Sequence, residues 1–65
     1  MRIVVNDAEM SVAEQTSVAA LVASLGFPDR GIAVAVNSAV LPRSQWDRAV
    51  PADARIDVVT AVQGG

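Results

Sequence analysis

Few side chains of this sequence could carry out chemistry on their own. Seven acidic residues are scattered along the 65 positions, and both histidine and cysteine are absent. Histidine is the usual general base and, with cysteine, the usual zinc ligand, while a cysteine thiolate is a strong nucleophile. We therefore predict neither a metal site nor a catalytic centre, and we interpret the acidic residues as a solvated surface.

The two glycines that close the sequence, Gly64 and Gly65, offer a different kind of chemistry. Glycine has no Cβ to crowd a carbonyl under attack, and it adopts conformations that other residues resist. The pair therefore leaves the α-carboxylate of Gly65 unhindered by a side chain. Extended, residues 63–65 would reach about 10 Å from the folded body. The alternative is that the glycine pair is a chance feature of a frayed terminus.

Length and charge limit the classes of protein to which this sequence can belong. The 65 residues suffice for one small domain, which we place at residues 1–62, followed by a flexible tail at residues 63–65. A net charge of −2 disfavours nucleic-acid binding, since the five arginines form no basic stripe. The apolar runs are far shorter than the roughly 20 residues of a membrane span. We expect a cytoplasmic protein that binds no membrane.

Alternation of apolar and polar residues predicts the strands of a sheet. Asn6-Asp7 and Asn37-Ser38 are turn sequences that separate neighbouring strands. The strands are expected at residues 2–6, 9–12, 31–37, 39–42 and 56–62, with the third of them at the centre of the sheet. The stretch RSQWDRAV is expected to form a brief helical turn or a loop.

A helix is predicted over residues 18–25, where apolar residues recur at the spacing i, i+3, i+4 and i+7. These residues are Val18, Leu21, Val22 and Leu25. Thr16 or Ser17 supplies an N-cap hydroxyl, and Gly26 followed by Phe27 and Pro28 ends the helix. The order strand, strand, helix, strand, short strand, strand predicts an α+β protein of β-grasp (ubiquitin-like) fold. A mixed four- to five-stranded sheet would pack on one main helix, with the first and last strands adjacent and parallel at the centre of the sheet.

Over its whole length the sequence resembles the ThiS family, the ubiquitin-like sulfur carriers of thiamin thiazole biosynthesis. The resemblance rests on the opening IVVND, on the block VNSAVLPRSQW and on Gly64-Gly65. Relatives often have Asp-Gly-Asp before the last strand, where this chain has Ala52-Asp53-Ala54. Because aspartate tolerates a positive φ better than most residues, we expect the turn to persist.

The resemblance implies a role for Gly65 in carrying sulfur. An activating enzyme of the ubiquitin-activating type would adenylate its carboxylate with ATP and magnesium, and sulfur from a donor such as a cysteine desulfurase would give a thiocarboxylate. A thiazole synthase would then receive the sulfur. In this scheme Gly64 and Gln63 form the reaching tail, and the chain is a protein co-substrate that binds no cofactor.

Two pairs of residues are candidate partner contacts. Val59 and Ala61 of the last strand could form an apolar docking patch that leads to the tail. Arg43 and Trp46 could contact a partner from a loop, although the favoured interpretation is that Trp46 caps the exposed end of a core that has few aromatics. Other functions stay open at this stage: the small subunit of molybdopterin synthase or another β-grasp sulfur carrier, and a β-grasp interaction domain that is never conjugated.

Overall fold

A five-stranded sheet with one helix packed on one face forms the body of the protein. The computed structural model describes residues 1–28 and 30–60. The strands are β1 (Arg2–Val5), β2 (Ala8–Ser11), β3 (Ile32–Val36), β4 (Ala39–Val40) and β5 (Arg55–Thr60), the helix is α1 (Val18–Ser24), and a 3-10 helix covers Arg43–Gln45. The sheet order is β2-β1-β5-β3-β4. β1 and β5 are parallel and the other pairs are antiparallel, which confirms the predicted mixed β-grasp sheet.

The two tight turns of the sheet form where the sequence predicts them. Asn6 and Asp7 join β1 to β2 with φ angles of 48° and 69°, and Asn37 and Ser38 join β3 to β4 with φ angles of 50° and 72°. Two successive positive φ angles are the signature of the type I′ hairpin turn, whose twist matches that of the flanking strands. Asn and Asp tolerate this region better than most residues. Local sequence therefore sets both hairpins.

Besides shifts of one residue at the ends of β1, β2 and β3, the strands differ from the prediction in three respects. The central strand is β5, and β3 is the inner strand beside it, because the parallel pairing of β1 with β5 fills the middle of the sheet. β4 has two residues, and Leu41 and Pro42 lie beyond it. β5 begins one residue earlier than predicted, at Arg55, and residues 61–62 of the predicted strand lie outside the described residues.

Helix α1 has the capping groups that its sequence predicts. Ser17, rather than Thr16, is the N-cap, and its Oγ accepts a hydrogen bond of 3.0 Å from the Ala20 N–H. At the other end Gly26 has a φ of 84°, and the Phe27 N–H donates back to the Val22 carbonyl at 3.3 Å. The Gly26 N–H donates to the Ala23 carbonyl at 3.1 Å, which completes a Schellman motif.

The start of α1 is also bonded by a segment far along the chain. The N–H groups of Val18 and Ala19 donate to the carbonyls of Arg48 and Trp46 at 3.0 and 2.9 Å. Initial helix N–H groups have no partner within the helix, so these carbonyls satisfy donors that would otherwise be left to water. The segment after the 3-10 helix is thereby held against the N-terminus of α1.

The core lies between α1 and the inner face of the sheet, and it is aliphatic apart from one indole. Eleven apolar residues are buried: Ile3, Val5, Val18, Leu21, Val22, Val34, Trp46, Val50, Ala54, Ile56 and Val58. Within the part of the chain that the structure describes, no polar or charged residue is buried. The turn before β5 is preserved as expected, because Asp53 adopts a φ of 59°.

Candidate functional site

The candidate site is built on the outgoing end of β5, the strand that leads into the glycine tail. β5 pairs with β3 from Val36↔Ile56 to Ile32↔Thr60, so it is held on one side along most of its length. Four predicted site residues, Ala61, Gln63, Gly64 and Gly65, lie outside the described residues. The structure therefore describes the base from which these residues continue.

Val59, the predicted docking residue, lies on the outer face of the sheet. Side chains alternate between the two faces of a strand. Along β5, Ile56 and Val58 are 0% and 6% exposed and point into the core, whereas Val59 is 62% exposed. The structure thus makes Val59 available to a partner, and its role as a partner contact stays a prediction.

Small apolar residues of the neighbouring strands surround Val59 on this face. Ala33 lies directly opposite Val59, and Ala35 lies directly opposite Val40. Residues directly opposite each other share a face of the sheet. Val40 is 73% exposed, and with Val59 it is one of two large hydrophobic residues that stand out into solvent among the described residues. We call Ala33, Ala35, Val40 and Val59 the apolar patch.

Sequence reasoning missed Val40 as part of this surface. The stretch AVLP predicts a short strand, but a two-residue strand has too little alternation to show which side chain faces outward. The pairing of Val40 with Ala35 shows which way the Val40 side chain faces, since it places Val40 on the face opposite to α1. A signal was present in β3, where Ala33 and Ala35 alternate with the bulkier Ile32, Val34 and Val36 and make one face of the strand nearly flat. A flat face leaves room for a bulky residue on the neighbouring strand.

The rest of the outer face is mainly charged, around the half-buried Val4. Arg2 pairs with Glu9 at 3.5 Å, and Arg55 pairs with Asp7 at 2.6 Å and with Asp57 at 3.6 Å. We call these five residues the charged half of the face. All five are partly or largely exposed, so each pair adds at most about 1 kcal/mol to stability. The apolar patch therefore ends against a charged border along β5.

Arg43 and Trp46 lie together beside α1. The Trp46 side chain is buried at 6% exposure, and its Nε1–H donates to the Leu41 carbonyl at 3.1 Å. The Arg43 guanidinium lies 4.8 Å from the centre of the indole ring, within cation–π range. The burial supports the interpretation of Trp46 as a core residue. Arg43 is exposed above it and is the member of the pair that a partner can reach.

The structure brings together only some of the predicted contacts. Val59 lies on the outer sheet face, whereas Arg43 and Trp46 lie by the helix, where with Ala19, Ala23 and Phe27 they line a cavity of about 90 Å³. Ligand pockets usually measure about 300–1,000 Å³.

Over residues 1–28 and 30–60, no group of three acidic residues is placed to hold a metal ion. In the same residues, no helix has the length and apolar character to cross a membrane.

Comparison with known proteins agrees with this architecture. The fold and the exposed strand end define a ubiquitin-like β-grasp protein. The model of the ThiS family matches residues 1–65, and the chain belongs to that family. The crystal structure of a thiamine biosynthesis protein (ThiS) from Geobacter metallireducens is similar, with 26% sequence identity, a TM-score of 0.84 and 100% of each chain covered. No curated protein sequence matches the chain.

Proposed function

We propose that this protein is a sulfur carrier of thiamin biosynthesis whose Gly65 carboxylate is converted to a thiocarboxylate. The observation that carries the proposal is the match of the ThiS family model to residues 1–65. The likeness to a solved thiamine biosynthesis protein along the full length of both chains supports it. ThiS proteins are small carriers rather than enzymes, so the catalytic groups would belong to the partners.

The chemistry begins with activation of an unreactive carboxylate. A carboxylate oxygen of Gly65 attacks the α-phosphorus of ATP on the activating enzyme, and pyrophosphate leaves. The terminal sulfur of a persulfide then attacks the acyl carbon, and the C–O bond to AMP breaks. A thiol reduces the S–S bond of the resulting acyl disulfide, which releases the thiocarboxylate. Glycine suits each attack because no Cβ shields the carbonyl carbon.

The folded body of the carrier would supply recognition. The apolar patch is the surface that we assign to docking, because Val40 and Val59 are 73% and 62% exposed and flank two alanines. Burial of such side chains removes apolar area from water without deforming the sheet. Arg43 beside Trp46 is a second candidate contact. If fully extended, the five residues after Thr60 would span about 16 Å, enough to enter a neighbouring active site.

The proposed partners follow from the chemical steps of adenylation, sulfur transfer to the carrier and sulfur donation. They are an adenylyltransferase of the ubiquitin-activating type, a persulfide donor such as a cysteine desulfurase, and a thiazole synthase that accepts the sulfur. ATP and magnesium would bind to the adenylyltransferase, and the carrier itself would hold no cofactor. The cytoplasmic location stays a prediction.

The test is an intact-mass measurement before and after activation. The protein is incubated with the cognate adenylyltransferase, a cysteine desulfurase, cysteine, a thiol and Mg-ATP. Replacement of one oxygen by sulfur should raise the mass by about 16 Da, and omission of ATP should abolish the change. The unreacted mass also checks that the mature protein ends at Gly65. A folded protein that never gains this mass, with an enzyme that activates a known carrier, would be a β-grasp interaction domain instead.

Deletion of Gly65 separates chemistry from folding. We expect the deletion to abolish the mass gain and to leave Tm within about 2 °C, because a terminal residue makes little contribution to stability. The deletion variant still ends in an α-carboxylate, that of Gly64, but this group lies one residue, about 3.3 Å, nearer the body. The matched control is Gly65→Ala, which keeps the full length of the tail and adds only a Cβ. It should react more slowly than the wild type but faster than the deletion variant. A large fall in Tm on deletion would show instead that the tail is structural.

A further inference from the structure

β5 loses one of its two neighbouring strands before it ends. The parallel pairing with β1 stops at Val5↔Ile56, because the chain turns away at Asn6 with a φ of 48°. β5 continues to Thr60, paired with β3 on the other side. Among the described residues, no strand lies beside the last part of β5 on its β1 side. The stretch that leads into the tail is thus supported by a sheet on one side only.

The side chain of Asn6 occupies the position that the missing strand would fill. Its Oδ1 accepts a hydrogen bond of 2.9 Å from the Val58 N–H, and its Nδ2 donates to the Val58 carbonyl at 3.3 Å. The backbone N–H of Asn6 donates to the Ile56 carbonyl at 3.0 Å. A carboxamide has the donor and acceptor of a peptide group. Asn6 therefore extends the β1–β5 ladder by one residue after β1 itself has ended.

We propose that Asn6 is a positioning residue for the sulfur-carrying tail. Together with the pairing of β5 to β3, its bonds to both backbone polar groups of Val58 set the direction in which β5 ends. Fully extended, residues 61–65 would span about 16 Å, so a change of roughly 20° in that direction would move the last carboxylate by about 6 Å. This inference rests on the proposed function, because it concerns the approach of that carboxylate to the activating enzyme.

The chain contains a matched control for this role. Asn37 is also the first residue of a hairpin turn, with a φ of 50°, and its Oδ1 accepts a hydrogen bond of 2.9 Å from the Arg55 N–H. It thus bonds the same strand, but at the start of β5 rather than near the tail. Loss of the Asn37 side chain should weaken the fold without freeing the outgoing end.

The experiment compares Asn6→Gly, Asn37→Gly and Asn6→Asp. Glycine keeps the positive φ of each turn and removes the side-chain hydrogen bonds. The rate of adenylation by the activating enzyme is measured from the release of pyrophosphate. For Asn6→Gly we expect kcat to fall about tenfold with KM nearly unchanged, because the misplaced carboxylate is less often aligned after docking. Asn37→Gly should stay within about twofold of the wild type, and Asn6→Asp, which keeps the Oδ1 acceptor, should fall between them.

Hydrogen exchange of the free protein gives a second readout that needs no partner. Asn6→Gly should speed amide exchange at Val58, Val59 and Thr60 more than at the start of β5, and Asn37→Gly should do the reverse. Equal kcat values for the two glycine variants, or equal exchange at these amides, would overturn the positioning role while the sulfur-carrier function stands. If the wild type is not adenylated at all, the proposed function fails, and the exchange pattern alone decides whether Asn6 holds the strand end.

Discussion

Val58 and Val59 are adjacent, chemically identical and placed in opposite environments. Val58 is 6% exposed and packs with Ile56 against α1, while Val59 is 62% exposed on the outer face. The difference follows from the alternation of side chains along a strand. It teaches that one strand serves two purposes here: its inner side chains hold the fold, and its outer side chains are left for a partner. Identical substitutions at the two positions should therefore have different consequences.

The largest expected effect is that of Val58→Asp. A domain of this size is stable by only about 3–10 kcal/mol, and an unpaired buried carboxylate costs several kcal/mol. We expect the variant to be unfolded at neutral pH, as measured by circular dichroism and by loss of a cooperative thermal transition. A native-like Tm would mean that position 58 is not enclosed by the core.

Val59→Asp makes the same change one residue later and tests the apolar patch. The site is exposed, so the loss of stability should stay near or below about 1 kcal/mol, and the variant should remain folded. If the patch docks the activating enzyme, KM should rise roughly 10- to 30-fold, as for a residue at the centre of an interface. A folded Val59→Asp variant with an unchanged KM would remove Val59 from the docking surface.

Val40→Asp extends the comparison to the edge of the same patch. Val40 lies two strands away from Val59, so it should sit nearer the rim of an interface, where each contact contributes less. We expect a KM increase of about three- to fivefold and little change in Tm. An effect larger than that of Val59→Asp would place the centre of docking on β4 rather than on β5.

The smallest effects are expected on the charged half of the outer face. Arg2→Gln removes an exposed ion pair with Glu9, which should change stability by less than about 0.5 kcal/mol. KM for the activating enzyme should stay within about twofold of the wild type. A rise in KM comparable to that of Val40→Asp would show that docking covers both halves of the face and that the boundary drawn along β5 is misplaced.

Local sequence predicted the elements well because their signals are local. The turns at Asn6 and Asn37, the Ser17 cap and the Gly26 helix end all depend on neighbouring residues and were confirmed. β1 and β5 lie side by side near the centre of the sheet, as predicted. β3 was also expected at the centre and lies one place away from it, because it alternates just as clearly as β5 and only the pairing of β5 with β1, about fifty residues away, decides the order. The parallel neighbours themselves were predicted correctly, from the strand order of the β-grasp fold.

The candidate site was predicted only in part, because contacts between residues far apart in the chain leave no local signal in the sequence. Val59 could be placed on the outer face from its own strand, whereas Val40 needed the register of a two-residue strand. The role of Asn6 depends on Val58, which lies 52 residues further along the chain. Burial of Trp46 likewise depends on how its segment folds against α1, so sequence left two interpretations open. Side chains that act across strands are thus the ones that a linear pattern misses.

The carbonyls of Trp46 and Arg48 that bond the start of α1 have a consequence for how the protein folds. A helix of seven residues is too short to persist alone in water. Here its opening turn is completed by a segment that is synthesised almost thirty residues later. A nascent chain interrupted before that segment should therefore lack a lasting helix. The helix and the sheet should therefore form and unfold together in a single cooperative transition.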